Sequence, residues 1–260
     1  MDASTVGQTT VTVSAHATRE QEIAILDSIY EFGTEYGFKP FYNKANDFDY
    51  RVRRKFTKNI LQANQEHLSA FAHSQRSKGN INTQQIEAVQ SALLVSDQLS
   101  GDSDTLAIVD GGKQKAIPFV KALSGLQTDL PVVAHCLQSE YYYPSALLAD
   151  LAASYLAHSL ENGEYDYTDP LLPTPHAKET RNNDWGKAFS GLYKNNIEYT
   201  PAELPSQRGD SVRERICCWY DGAVMPDRGA EVPLSDSLNP IVGSLRREGF
   251  EDLARIIEQL

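Results

Sequence analysis

The order of apolar and polar positions divides the first half of the chain into segments of two periods. Residues 9–15, Thr-Thr-Val-Thr-Val-Ser-Ala, are rich in β-branched side chains and follow closely on a glycine, which predicts a strand. From Thr18 the spacing changes: Glu22, Ile23, Leu26, Ile29 and Tyr30 recur at helical intervals, and Thr18 with Gln21 reads as a capping box. That helix ends at Gly33 or Gly37. Asp47 or Asp49 caps a second helix, which runs through a basic segment to Phe71 on an apolar stripe of Val52, Phe56, Ile60 and Leu61. A third helix follows Asn82-Thr83, with Ile86, Val89, Leu93 and Leu94 along one face.

The middle of the chain has a different grammar. The polar stretch at residues 100–104 breaks the third helix, and Thr105 to Val109 is a short continuous apolar run of the kind found in buried parallel strands. It stops at Asp110-Gly111-Gly112. Residues 113–124 read as a helix, with Ile117, Val120 and Leu123 on one face and Pro118 placed in its first turn. A second buried strand spans Leu130 to Leu137, and a helix from Pro144 to Leu160 follows with proline at its start. Strand, helix, strand, helix is the pattern of a parallel sheet, so the fold class is α/β.

Past Asn162-Gly163 the composition shifts to a proline-rich loop containing Pro170, Pro173 and Pro175. This boundary divides the chain into an α/β domain over 1–162 and a C-terminal extension over 163–260. The extension contains a loop-rich linker, a strand-like segment from Arg215 to Tyr220 and a terminal helix pair between Pro240 and Leu260.

Composition narrows the function classes. No run approaches the roughly 20 apolar residues of a membrane span, and the first residues form no secretory signal, so the expected location is the cytoplasm. Cys136, Cys217 and Cys218 have no metal-ligand spacing and read as reduced structural thiols. The net charge of −11 repels polyanions, so contact with nucleic acid would rest on a local patch. Arg51, Arg53, Arg54, Lys55 and Lys58 form one within eight residues; the plainer reading is a solvated helix face. Tyr141, Tyr142 and Tyr143 offer aromatic surface for stacking on bases or for packing at a helix entrance. His135 reads as a core histidine, and His158 and His176 as surface residues.

The strongest chemical pair is Asp110 with Asp150. Asp110 ends an apparently central strand, where open α/β sheets bind ligands. Asp150 stands in Leu-Leu-Ala-Asp-Leu-Ala-Ala, residues 147–153, an apolar helix face on which a carboxylate needs a basic partner or a bound cation. If that helix packs across the two strands the acids converge, and paired carboxylates suit Mg²⁺ or Mn²⁺, which activate water for attack on phosphate. The alternative is that Asp110 caps a turn and Asp150 pairs with Lys or Arg.

The pattern Ile108-Val-Asp-Gly, a second strand, Gln138-Ser139, then Ser145-Ala-Leu-Leu-Ala-Asp-Leu-Ala-Ala resembles the ribonuclease H-like superfamily over about residues 100–162. It is most similar to an uncharacterised branch in archaea, viruses and mobile elements. The resemblance implies a three-layer fold with a partly parallel central sheet and, here, an added helical C-terminal region. It also implies that Asp110 and Asp150 are metal ligands for phosphodiester cleavage of RNA, DNA or a hybrid, with Ser139 matching the serine of the branch. The family's first strand carries a further acid, whereas residues 9–15 run into His16; His16 itself, Glu20 or Asp27 would have to substitute. The family's three antiparallel strands are not expected from the pattern either, since helices follow at once. Two functions are therefore expected: a metal-dependent nuclease or related phosphodiester hydrolase, or a non-catalytic structural or protein-interaction module of a virus or mobile element.

Overall fold

Gly7, in the left-handed region at φ 58°, turns the first residues of the chain back on themselves. It leaves a two-residue hairpin loop, because Val6 lies opposite Thr9; a glycine at the first loop position is what such turns demand. The computed structural model describes residues 1–38, 43–74, 82–99, 105–127, 129–141, 143–164, 187–192 and 202–203. In it a strand, β1 (Asp2–Val6), precedes the one expected to be first, which is β2 (Thr9–Ala15).

The helix after β2, α1 (Arg19–Gly33), has the expected capping box between Thr18 and Gln21. The next, α2 (Tyr50–Ala63), is capped by Asp49 and stops well before Phe71. Leu68–Ser74 is instead a strand, β3. It has no β-branched residue to announce it, and its seven residues are held extended by antiparallel pairing with the whole of β2; neighbours override local preference in such strands. β1, β2 and β3 thus form the antiparallel three-stranded sheet that the hydrophobic pattern concealed.

The second sheet follows the expected alternation. α3 (Thr83–Gln98) is capped by Asn82 and leads to β4 (Leu106–Asp110), α4 (Lys113–Ser124), β5 (Val132–Cys136) and α5 (Pro144–Glu161). β4 and β5 pair in parallel, and β6 (Ala202–Glu203) adds to β5 in the same direction. Pro118 lies in the second turn of α4 rather than its first, so the Gln114 carbonyl gives up its intrahelical donor. Met1 joins the sheets: its nitrogen donates to the Ile108 carbonyl at 2.9 Å, and the Asp110 amide donates to the Met1 carbonyl at 3.1 Å. This is a parallel bridge that sets β1 alongside β4.

Both faces of β2 are covered. Val11 and Val13 enter a core built with α1, α2 and α5, including Ile25, Phe56 and Leu148. The opposite face is polar and is satisfied by α3, where Thr12 donates to Gln90 at 2.6 Å and Ser14 to Gln98 at 3.2 Å. A second core joins α3, α4, β4 and β5 through Val89, Phe119 and Val133. Ala188, in a helical stretch at residues 187–192, is buried in it, so part of the region beyond residue 163 packs on these elements. On α2 the apolar stripe differs from expectation, since Val52 is exposed and Arg53 buried. Among the described residues no helix is long and apolar enough to cross a membrane. Arg215 to Tyr220, the terminal helix pair, Cys217, Cys218, His176 and Tyr142 lie outside the described residues.

Candidate functional site

Asp110 is the last residue of β4, and the chain leaves it through Gly111 at φ 117°. One of its carboxylate oxygens accepts two hydrogen bonds from Ser139, from the amide at 2.9 Å and from the hydroxyl at 3.0 Å. Gln138, the one non-glycine at positive φ among the described residues, turns the chain after β5 so that both Ser139 donors face Asp110. Left-handed backbone is costly for a residue with a side chain and is often found where a site is being held in shape.

Asp150 approaches from α5. Its Oδ2 accepts the Ala45 amide at 2.8 Å, and the carbonyl of the same residue accepts from Arg53, which also donates to Asn46 Oδ1 at 3.3 Å. Arg53 therefore supports Asp150 through one intervening residue instead of by direct ion pairing. Of the other cations of that segment, Arg51, Lys55 and Lys58 are exposed, and Arg54 is exposed but paired with Glu164 at 2.7 Å.

A further acid, outside the expected set, is Asp2 on β1. β1 places it level with Val13 and one residue beyond the bridge to β4, and its carboxyl is in hydrogen-bond contact with that of Asp150. Burial first, then the charges of Asp150 and Asp110, push the Asp2 carboxyl up to about 8. Asp150 rises to about 6, mainly by burial, against the lowering effect of the Ala45 amide. Glu140, one residue beyond Ser139, is a fourth member: burial and the neighbouring Asp110 raise it to about 7, with Lys44 at 3.8 Å as its counter-ion. Glu22 stands apart and has a structural partner, since it accepts the amide and hydroxyl of Ser145 and so caps the start of α5 from a neighbouring helix. It rises to about 7 because it is buried.

Sequence reading thus brings together Asp110, Ser139 and Asp150 but misses Asp2, Glu22 and Glu140. A signal for Asp2 was present in the glycine turn at residues 7–8, which requires a strand on each side. Its offered substitutes stand elsewhere. Asp27 is exposed on α1, and His16 packs edge to face on His67; Glu20 belongs to α1, its side chain outside the described positions. Tyr143 is buried at the entrance to α5, and His135 is buried in β5.

Burial raises these carboxyls first and, for Asp2, Glu140 and Asp150, their mutual charge adds to it; a divalent cation is a chemistry that relieves the charge part. Among the described residues no three Asp, Glu, His or Cys side chains are placed to hold one ion. The Asp2 and Asp150 pair fits Mg²⁺ more readily than an ion needing a full protein cage, because Mg²⁺ is commonly held by one or two carboxylates with waters and substrate phosphates. No protein-family model matches the chain, and no curated protein or solved structure matches it.

Proposed function

We propose that the chain is a divalent-metal-dependent phosphodiester hydrolase, a nuclease in the broad sense, of ribonuclease H-like topology. The observation that carries this reading is the meeting of two buried acids from separate elements, with a third, Asp110, within electrostatic reach of both. Asp2 comes from β1, Asp110 from the end of β4 and Asp150 from α5, with the Asp2 and Asp150 carboxyls in contact. The strand order supports it too. Read through the Met1 bridge, the sheets run β3-β2-β1-β4-β5-β6, antiparallel on one side and parallel on the other, and a partly parallel sheet is what the sequence resemblance implies.

Mg²⁺ or Mn²⁺ held by Asp2 and Asp150, with Asp110 beside them, would supply charge neutralisation for a phosphate and acidify a water. The protein's own part is positioning. Ser139 fixes one oxygen of Asp110, and the Ala45 amide fixes one oxygen of Asp150, so neither carboxylate is free to turn away. Lys44 and the exposed Arg51, Lys55 and Lys58 supply positive charge for a nucleic-acid backbone in a chain that is otherwise acidic.

A second reading rests on the same hydrogen bonds: Asp110 and Asp150 as structural acceptors in a non-catalytic module that contacts other proteins. The two separate in one experiment. Mn²⁺ is titrated calorimetrically into the wild type and an Asp2→Asn, Asp150→Asn double variant, and cleavage of labelled single-stranded, duplex and hybrid substrates is followed. Metal binding and cleavage confined to the wild type are expected; a wild type that neither binds Mn²⁺ nor cuts any substrate overturns the hydrolase reading.

A further inference from the structure

Lys44 reaches the acid cluster from a main chain that is itself pinned to the cluster. Its amide donates to Asp47 Oδ2 at 3.0 Å, and the Asp47 amide donates to the Lys44 carbonyl at 3.1 Å. The next residue, Ala45, is buried and gives its amide to Asp150 at 2.8 Å. The backbone at Lys44 is therefore held beside the acids, and the freedom left to the residue is that of its long, flexible stem.

That stem ends in a loose ion pair. The Lys44 ammonium stands 3.8 Å from Glu140, with the lysine side chain 35% exposed and the glutamate side chain 9%. Arg54, by contrast, holds Glu164 at a hydrogen-bond length of 2.7 Å, and Arg53 is committed to the Ala45 carbonyl and Asn46. An ammonium at the Lys44 distance gains charge attraction without a hydrogen bond. The other acids reinforce that attraction, since Asp110 and Asp2 act electrostatically on Glu140, and Glu140 in turn on Asp150.

We propose that Lys44 is an exchangeable counter-ion, resting on Glu140 while the acids are empty and passing to a backbone phosphate of the nucleic acid once Asp2 and Asp150 hold a divalent cation. This rests on the hydrolase reading and adds to it a coupling between the two ligands. A divalent charge on Asp2 and Asp150 cancels much of the negative field that holds the ammonium, which becomes available to an anion arriving from solvent. A phosphate that takes the ammonium leaves Glu140 without its counter-ion, which favours retention of the cation. Cation and nucleic acid therefore tighten each other's binding by one common factor, as linkage requires. Arg51, Lys55 and Lys58, exposed on α2, attract the same backbone whether the acids are filled or empty.

The test measures binding, with cleavage suppressed. Labelled phosphorothioate-linked oligodeoxynucleotides, single-stranded and duplex, are titrated into wild type, Lys44→Met, Glu140→Gln and the double variant, with and without Mn²⁺. Calorimetry gives the Mn²⁺ affinity of each protein in parallel. All titrations are made at pH 8, where Glu140, raised to about 7 by burial and Asp110, is ionised. Mn²⁺ is expected to tighten oligonucleotide binding at least ~5-fold more in wild type than in Lys44→Met. The salt slope of that variant in Mn²⁺ should fall by about one. Without metal, Glu140→Gln frees the ammonium and should tighten oligonucleotide binding, and that gain should vanish when Lys44 is also replaced. A merely structural pair makes the two single variants behave alike, and simple loss of a negative charge leaves the Glu140→Gln gain intact in the double variant; either result overturns the exchange. A wild type that takes up no Mn²⁺ overturns the hydrolase reading and the exchange with it. A wild type that takes up Mn²⁺, with the full coupling kept in Lys44→Met, overturns the exchange alone.

Discussion

Asp2 carries the largest electrostatic cost of any side chain in the acid cluster. Its carboxyl is raised to about 8 by burial and by Asp150 and Asp110, far above the ~3.9 of an unfolded chain. Between those two values the unfolded state releases a proton that the native state retains. Native stability therefore falls as pH rises through the window and is unaffected below it. Asp2→Asn removes the titration while keeping an oxygen for the Ala3 amide, which the Asp2 side chain accepts at 2.8 Å. The variant is expected to unfold at a Tm several degrees above wild type at pH 8, with the gain shrinking to nothing near pH 4, as measured by calorimetry across that range. Arg53 works in the opposite sense, as a buried cation with a task. Arg53→Met strips the donor from the Ala45 carbonyl beneath Asp150 and should cost about 2–3 kcal/mol in urea unfolding. Arg54→Met, which breaks the exposed pair with Glu164, should stay within ~1 kcal/mol of wild type.

Elements differ in how much of them their own residues announce. α1, α3 and α5 were legible because each has a sequence-local start signal: Thr18 with Gln21, Asn82, and Pro144. β4 and β5 were legible as apolar runs. β1 and β3 were not. Asp-Ala-Ser-Thr-Val offers one large apolar residue in five, and Leu-Ser-Ala-Phe-Ala-His-Ser is extended because β2 pairs with it. Missing β1 meant missing Asp2, the acid that the proposed site draws from the second residue of the chain. Arg53 was misplaced for a related reason: a charged residue in a basic run reads as surface until the Ala45 carbonyl that accepts its hydrogen bond is known. Element packing beyond residue 163 is testable at Gly191, where a Cβ would meet the Lys121 carbonyl at 2.7 Å and the Gly125 Cα at 3.0 Å. Both contacts are backbone of α4 and its C-terminal end, which cannot swing aside. Gly191→Val should therefore cost about 1–3 kcal/mol and raise proteolytic sensitivity of the 187–192 stretch in a limited-digestion assay.

At the scale of the whole molecule the acids of the site are part of a chain whose formal charge is strongly negative, at −11. Asp2 at about 8, Glu140 and Glu22 at about 7 and Asp150 at about 6 all shift upward. Each raised carboxyl removes stability as pH climbs from its unfolded value to its folded one, so their contributions run in one direction. The metal-free protein should lose Tm steadily between about pH 5 and pH 8, the reverse of a protein whose carboxylates are held by ion pairs. A divalent cation that binds the ionised cluster competes with its protons, so its effect must grow over the same interval. At a concentration of ~100 times its Kd, a ligand binding only the native state adds about 2.7 kcal/mol, which for a chain of this size moves Tm by roughly 5–10 °C. Millimolar Mg²⁺ or Mn²⁺ is therefore expected to raise Tm markedly at pH 8 and scarcely at pH 5. Asp2→Asn with Asp150→Asn should abolish that metal effect while itself raising the metal-free Tm at pH 8. A Tm that is flat in pH and indifferent to metal in both proteins would mean that the carboxyls are neutralised by protein groups alone, and the hydrolase reading would lose its physical basis.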